Sequence, residues 1–317
     1  MPDDGVWDID DADVADIEDG QLLVRVDYVS MDPAMRGWLD DKRSYLPPVA
    51  VGDVMRAIGV GEVVASRSDG FAEGDHVTGA FGVQQYAVAT PASLTRIDLS
   101  MAPLPVFLSV LGSTGLTAYF GLLDIGQPEP GDTVVVSAAA GAVGSVAGQI
   151  AKIIGCRAVG IAGGPEKCRL VVEEFGFDAA IDYRSEDVAQ RLRELCPERI
   201  DVYFDNVGGD ILDAALTRLD RHARVVLCGA ISQYNQGRMR GPSNYMSLLV
   251  DRARMEGFLV LDYADRYAEA RGRLAAWRDQ GRLRSREQVL EGIDMFPEAL
   301  RMLLRGDNSG KLIVAVR

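Results

Sequence analysis

Ala139, Gly141 and Gly144 follow directly on Val134-Val135-Val136, and this spacing is the part of the chain most able to do chemistry. Three β-branched residues in a row suit a buried parallel strand. Small residues then turn the chain, and Val146 to Ile154 reads as the body of a helix. A strand, a turn of small residues and a helix let an anionic group approach the backbone and settle on the free N–H groups of the helix N-terminus. Gly141 and Gly144 stand in the second and third glycine slots of a dinucleotide fingerprint, with Ala139 in the first. A second strand, Arg157 to Ala162, follows at the expected distance.

Other chemistries find little support. Cys156, Cys168, Cys196 and Cys228 are far apart, without the paired spacing of a zinc site or disulfide frame. His76 and His222 are the only histidines, and neither lies in a ligand array, so no metal is expected. Among 317 residues, 48% are hydrophobic and 25% charged, as in a soluble globular protein of two domains. No apolar run or leader suggests a membrane, and a cytoplasmic location is expected. The net charge of −14 argues against nucleic acid and anionic lipid. Nine of those acids lie in residues 1–20, which carry no Lys or Arg and read as a solvated segment.

The elements around the fingerprint set its context. The first hundred residues hold short extended runs, 22–29, 57–65, 76–78 and 83–89, punctuated by Gly and Asp, as in a small barrel or sandwich. Residues 106–123 carry helical spacing. Strand and helix then alternate: strand 134–136, helix 143–154, strand 157–162, helix 165–175, strand 179–182, helix 186–195, strand 200–205, helix 209–219 and strand 223–228. That alternation predicts an α/β doubly wound parallel sheet. A strand at 257–261, a long helix at 263–280, a short helix at 296–304 and a closing strand at 311–316 complete the expectation. The domains expected are 1–108, completed by 282–317, and 109–281, with a cleft between two lobes. Ligands of such sheets bind outside the carboxyl ends of the strands, here Ser137-Ala138, Ala162-Gly163, Asp182-Tyr183, Asp205-Asn206 and Cys228-Gly229.

The second strand ends Ala162-Gly163-Gly164-Pro165-Glu166-Lys167, without the acid that would bond a ribose 2′-hydroxyl. The glycines leave room and Lys167 supplies charge for a 2′-phosphate, which favours NADP(H) over NAD(H). An ordinary surface lysine is the competing reading. Glu166 suits the first turn of the next helix.

Several blocks together resemble the zinc-independent medium-chain dehydrogenase/reductases, in the group of prostaglandin reductase, alkenal double-bond reductases and curcumin reductase. They are Ser30-Met31-Asp32-Pro33 with Met35-Arg36-Gly37, Gly115-Leu116-Thr117-Ala118-Tyr119, Ala138 to Gly144, Tyr203 to Gly209, Cys228 to Asn235, and Asn308 with Gly310-Lys311. The resemblance implies a GroES-like barrel with a Rossmann domain, a homodimer, and NADPH-dependent reduction of the C=C bond of α,β-unsaturated ketones or aldehydes. It implies that Gly141, Ala142, Val143 and Gly144 hold the pyrophosphate, and Lys167 and Tyr183 the 2′-phosphate region. Asn206 would contact the cofactor, and Cys228, Gly229, Ala230, Ile231, Ser232 and Tyr234 would line its nicotinamide side. Phe258, Leu259, Val260 and Asn308 would close over that end. In this mechanism a donor must meet the charge developing on the carbonyl oxygen, and Tyr234 is the candidate, a stacking loop tyrosine being the plainer reading. Gln233 to Pro242, with Gly237, Arg238, Arg240 and Gly241, reads as a substrate lid or an exposed loop.

The chain departs from relatives at Ala34, where they commonly carry Tyr. Tyr45 is the nearby candidate to compensate. The stretch Gly59-Val60-Gly61-Glu62 lacks the histidine of zinc alcohol dehydrogenases. A quinone reductase and a non-catalytic NADPH-binding protein are the alternatives.

Overall fold

The computed structural model describes residues 1–2, 4–236 and 239–317, with Asp4 described through its backbone alone. Asp3 of the acidic run, and Gly237 and Arg238 of the expected lid, lie outside the described residues. The chain divides into two compact units, Met1–Ser109 with Glu287–Arg317, and Val110–Arg286.

The first unit is a seven-stranded sheet. Its strands are β1 (Leu22–Ser30), β2 (Gly59–Ser66), β3 (His76–Gly79), β4 (Tyr86–Ala89) and β5 (Leu94–Ile97), joined by two later strands described below. Along β1 the inward residues Leu22, Val24 and Val26 are fully buried and alternate with half-buried ones, as a sheet with one covered face requires.

The second unit carries the alternation read from the sequence. Its six-stranded sheet is parallel throughout and is ordered β11-β10-β9-β6-β7-β8. The strands are β6 (Thr133–Ser137), β7 (Arg157–Ala162), β8 (Ala179–Asp182), β9 (Ile200–Asp205), β10 (Leu219–Leu227) and β11 (Arg254–Gly257). Helices α1 (Ser113–Phe120), α2 (Ala142–Ile154), α3 (Pro165–Glu173), α4 (Val188–Leu195), α5 (Gly209–Leu216), α6 (Met246–Asp251) and α7 (Tyr267–Asp279) accompany them. Val134, Val135 and Val136 are fully buried, each contributing roughly 1.5–3 kcal/mol of apolar burial. The chain returns to the first unit through β12 (Glu287–Glu291), α8 (Phe296–Arg305) and β13 (Lys311–Ala315). β13 pairs with β1 antiparallel and with β12 parallel.

Three expected elements are corrected. Residues 106–123 are not one helix: a 3-10 turn (Leu104–Leu108) precedes α1, which runs into a π-helical turn at Gly121–Gly126. The chain leaves helical geometry at Ser109 (φ −115°, ψ −111°) and Gly112 (φ −106°, ψ −161°) before α1 begins. Within α1, a Cβ at Gly115 would lie 1.9 Å from the Val110 carbonyl oxygen. The strand expected at 257–261 lies earlier, at Arg254–Gly257, in register with β10. The helix expected at 263–280 is a 3-10 segment, Val260–Arg266, with a kink at Tyr263, followed by α7. Strands β5 and β12 carried too few residues of clear alternation to be read.

Candidate active site

β6 delivers Ser137, fully buried, to the sheet's carboxyl edge, and the chain turns there into α2. Gly141 is the N-cap and no side chain caps the helix, so its first N–H groups face outward without an intrahelical partner. A Cβ at Gly144 would lie 2.4 Å from the Ala138 carbonyl oxygen, and only glycine lets the helix come this close to its own turn. At Gly141 the same oxygen, at 3.1 Å, is the one heavy atom such a Cβ would meet within 4 Å. The backbone there is open to an incoming group. Ala138 takes φ 49°, a left-handed conformation that costs an alanine roughly 1–2 kcal/mol.

Behind this turn lies Asp205, the last residue of β9 and 1% exposed. Its Oδ1 accepts hydrogen bonds from the Ser137 hydroxyl, the Tyr203 hydroxyl and the Val207 and Gly208 N–H groups, all at 3.0 Å. Its Oδ2 accepts from Gly208 N–H at 3.1 Å. Burial is the largest influence and raises the Asp205 carboxyl above its ordinary value despite these donors. The Asp205 carbonyl also accepts from the N–H groups of Cys228 and Gly229, tying in the end of β10. Asn206 donates its N–H to the Ser137 hydroxyl at 2.8 Å and its amide to the Ser137 carbonyl at 2.7 Å.

From there the network reaches Tyr234. Ile231 N–H donates to the Asn206 carbonyl, and the N–H and hydroxyl of Ser232 both donate to the Val207 carbonyl. The half-buried Tyr234 oxygen accepts from Ala230 N–H at 3.1 Å, so its own proton is not used in that bond. A Cβ at Gly229 would sit 3.2 Å from the same oxygen. Burial raises the phenol above its ordinary 10.0, so it is protonated at neutral pH. Burial, helped by Asp205, pushes the Cys228 thiol up to about 12, which makes it a poor nucleophile.

A second strand-to-helix turn follows β7. Gly163 and Gly164 lead into α3, with Gly164 as N-cap and the half-buried Lys167 in the first turn. The Tyr183 ring lies on Gly163, where a Cβ would be 2.9 Å from it. Tyr183 is 43% exposed at the end of β8, so the fold brings it onto the turn that carries Lys167.

The other sequence candidates lie on separate segments. The Phe258 ring packs inward, with a Cβ at Gly121 falling 2.4 Å from it and 2.9 Å from Phe204. Leu259 and Val260 follow as a half-buried connection. Asn308 is buried in the first unit and donates to the Gly310 carbonyl at 2.9 Å. Tyr45 is 49% exposed, also in the first unit. In the Gln233–Pro242 segment, Arg240 donates its N–H to the buried Gln233 side chain at 3.0 Å and pairs with Asp210. Among the described residues no group of three or more His, Cys, Asp or Glu could hold a metal ion.

Residues 1–97 match the family described as the N-terminal domain of oxidoreductase, and residues 142–276 the one described as zinc-binding dehydrogenase. The NADPH-dependent curcumin reductase of Escherichia coli is 41% identical, over 97% of this chain and 91% of its own length. The NADP-dependent 2-alkenal reductase of Nicotiana tabacum is 40% identical, over 93% and 87%. The crystal structure of CurA in complex with NADPH from Vibrio vulnificus superposes with a TM-score of 0.95 at 40% identity, covering 100% of this chain and 96% of that one.

The chain belongs to the medium-chain dehydrogenase/reductases.

Within this oxidoreductase family it falls in the curcumin, alkenal and prostaglandin reductase group. Three residues that organise this member's site, Ser137, Asp182 and Asp205, were read from the sequence only as strand ends at the ligand-binding edge, with no individual part. Each closes a strand of the parallel sheet, and a polar residue after an apolar strand was the signal available. What it bonds was not, because the donors come from distant stretches of chain.

Proposed function

We propose that this protein is an NADPH-dependent reductase that saturates the C=C bond of α,β-unsaturated ketones and aldehydes, working as a homodimer in the cytoplasm. The observation that carries the reading is the continuous hydrogen-bond network from Ser137 through Asp205 and Asn206 to Ala230 and Tyr234. It sets an uncapped helix N-terminus and a protonated phenol along one edge of one sheet. The turn fits a dinucleotide, because its pyrophosphate needs free N–H groups and a backbone without side chains in the way. Gly141, Ala142, Val143 and Gly144 would hold the pyrophosphate, and Lys167 and Tyr183 the 2′-phosphate. Asn206 and residues 228–232 would line the nicotinamide side, with Phe258, Leu259 and Val260 at its far end.

When bound, NADPH would supply the hydride that the β-carbon of the substrate accepts, and the enolate left behind would take the balancing proton at its α-carbon from water. The rest of the catalysis falls to the chain. Tyr234 donates a hydrogen bond to the carbonyl oxygen, and the bond strengthens as negative charge develops there. The Ala230 N–H holds the phenol oxygen in place and leaves the O–H to the substrate. The hub at Asp205 keeps the strand ends fixed, so little reorganisation accompanies the reaction.

The test is NADPH oxidation with 2-alkenals, cyclic enones and quinones, repeated with NADH. Turnover of alkenals or enones is expected, with Tyr234→Phe lowering kcat by about 10-fold or more. Because burial raises the phenol above its ordinary 10.0, any loss of activity from its ionisation is expected to have its midpoint above that pH. Turnover of quinones alone would overturn the substrate class. Tight NADPH binding with no turnover would overturn the enzyme. Full activity in the phenylalanine variant would remove Tyr234 from its role. Size-exclusion chromatography tests the dimer.

A further inference from the structure

Asp182 ends β8, one strand outward from the turn that holds Gly163 and Gly164. Its Oδ1 accepts from Gly164 N–H at 2.7 Å and from Arg184 N–H at 3.0 Å. Its Oδ2 accepts from the Ser185 hydroxyl at 2.8 Å. The Glu186 carboxylate in turn accepts the Asp182 N–H at 2.7 Å. The bond from Gly164 is the largest influence on this carboxyl and holds it below its ordinary range.

Gly164 sits at φ 96°, ψ 154°, a region essentially reserved for glycine. A Cβ there would meet nothing within 4 Å. The Gly164 carbonyl accepts the Cys168 N–H of α3 at 3.1 Å, and its N–H is held by the Asp182 carboxylate. Tyr183 is the next residue, and the bond to Arg184 N–H fixes the backbone on its other side. One side chain therefore sets both walls of the turn: the glycines that lead to Lys167, and the strand end that lays Tyr183 over Gly163.

We infer that Asp182 is a positioning residue for the cofactor 2′-phosphate, touching no part of it but shaping the turn that separates NADPH from NADH. The inference rests on the NADPH reading above. A carboxylate beside an anion would ordinarily repel it. Here the Gly164 and Arg184 N–H groups engage Oδ1 and the Ser185 hydroxyl engages Oδ2, and these donors, with the Arg184 charge, stabilise the carboxylate locally. An asparagine can do most of the same work. Its Oδ1 accepts from Gly164 and Arg184, and its amide can donate to the Ser185 oxygen.

The experiment compares wild type with Asp182→Ala, Asp182→Asn and Ser185→Ala. Binding of 2′,5′-ADP and 5′-AMP is measured by calorimetry, and kcat and KM are measured with NADPH and NADH. Asp182→Ala is expected to weaken 2′,5′-ADP and raise the NADPH KM by about 10-fold, with 5′-AMP, the NADH KM and kcat moving less than about twofold. Asp182→Asn should restore wild-type discrimination, and Ser185→Ala should move it in the alanine direction by less. If Asp182→Ala does not fold, the other two variants carry the test. Equal weakening of both nucleotides, no change in their ratio, or an asparagine variant as defective as alanine would overturn the assignment. A wild type that binds 2′,5′-ADP no better than 5′-AMP would instead bring down the NADPH reading, and this inference with it.

Discussion

Asp205 and Asp182 are the same residue type at the same place in the architecture, each closing a parallel strand and each bonded to a strand-to-helix turn. Their carboxyls nevertheless shift in opposite directions, Asp205 up and Asp182 down. Asp205 lies beneath the sheet's edge, 1% exposed, where loss of water outweighs its bonds to two hydroxyls and two backbone N–H groups. Asp182 sits at the rim, itself 9% exposed but with exposed neighbours at Arg184 and Ser185, and there the bond from Gly164 dominates. The buried aspartate ties together the ends of β6, β9 and β10. The rim aspartate shapes one turn and leaves the fold around it free to vary.

The largest expected difference lies in stability. Asp205→Ala strands several buried donors and should cost roughly 3 kcal/mol or more, since each buried unsatisfied group costs about 1–3 kcal/mol. Asp182→Ala, at the rim, should cost about 1 kcal/mol. Urea unfolding of the two variants checks this, and equal losses would break the distinction between hub and rim.

A smaller effect separates the two turns themselves. In Gly144→Ala the new methyl would lie 2.4 Å from the Ala138 oxygen, so the helix must shift, at about 1–3 kcal/mol. In Gly164→Ala the space is open and the cost is backbone strain alone, of order 1–2 kcal/mol. The sharper contrast is in binding: Gly144→Ala should weaken 5′-AMP and 2′,5′-ADP together, and Gly164→Ala mainly 2′,5′-ADP. Reversed selectivity would refute the division of labour between the turns.

The smallest effect is on the acid side. Asp182 titrates below its ordinary 3.8, so its contribution to stability is full above that value and is lost as pH falls through the lower folded one. Asp205 has the opposite sign. Its burial opposes the ionised form, and protonation at its raised pKa relieves that cost as pH falls. Acid unfolding of Asp182→Asn should therefore be flatter than that of wild type below pH 3.8, and that of Asp205→Asn steeper. Parallel curves would show that the two carboxyls do not differ as described.

Much of this was legible in the residues. Val134 to Val136 announced a strand covered on both faces, and the glycine slots after it announced a turn with room for a ligand. Lys167 and Tyr183, read as one region from the family resemblance, meet at one turn because the end of β8 lies beside the end of β7. The π-helical turn after α1 was not legible, and neither was the inward packing of Phe258. The packing of Phe258 depends on Gly121, whose missing side chain admits a ring from a residue far along the chain.

The sequence by itself determined the order of strands and helices and the places where the backbone must be bare. These follow from local periodicity and from sterics within a few residues. Only the tertiary structure decided which polar groups meet. Ser137 and Asp205 lie 68 residues apart and become partners because β6 and β9 are neighbours in the sheet. A hydrogen bond needs its partners within about 3 Å, and no spacing along the chain can specify that for groups carried by different strands.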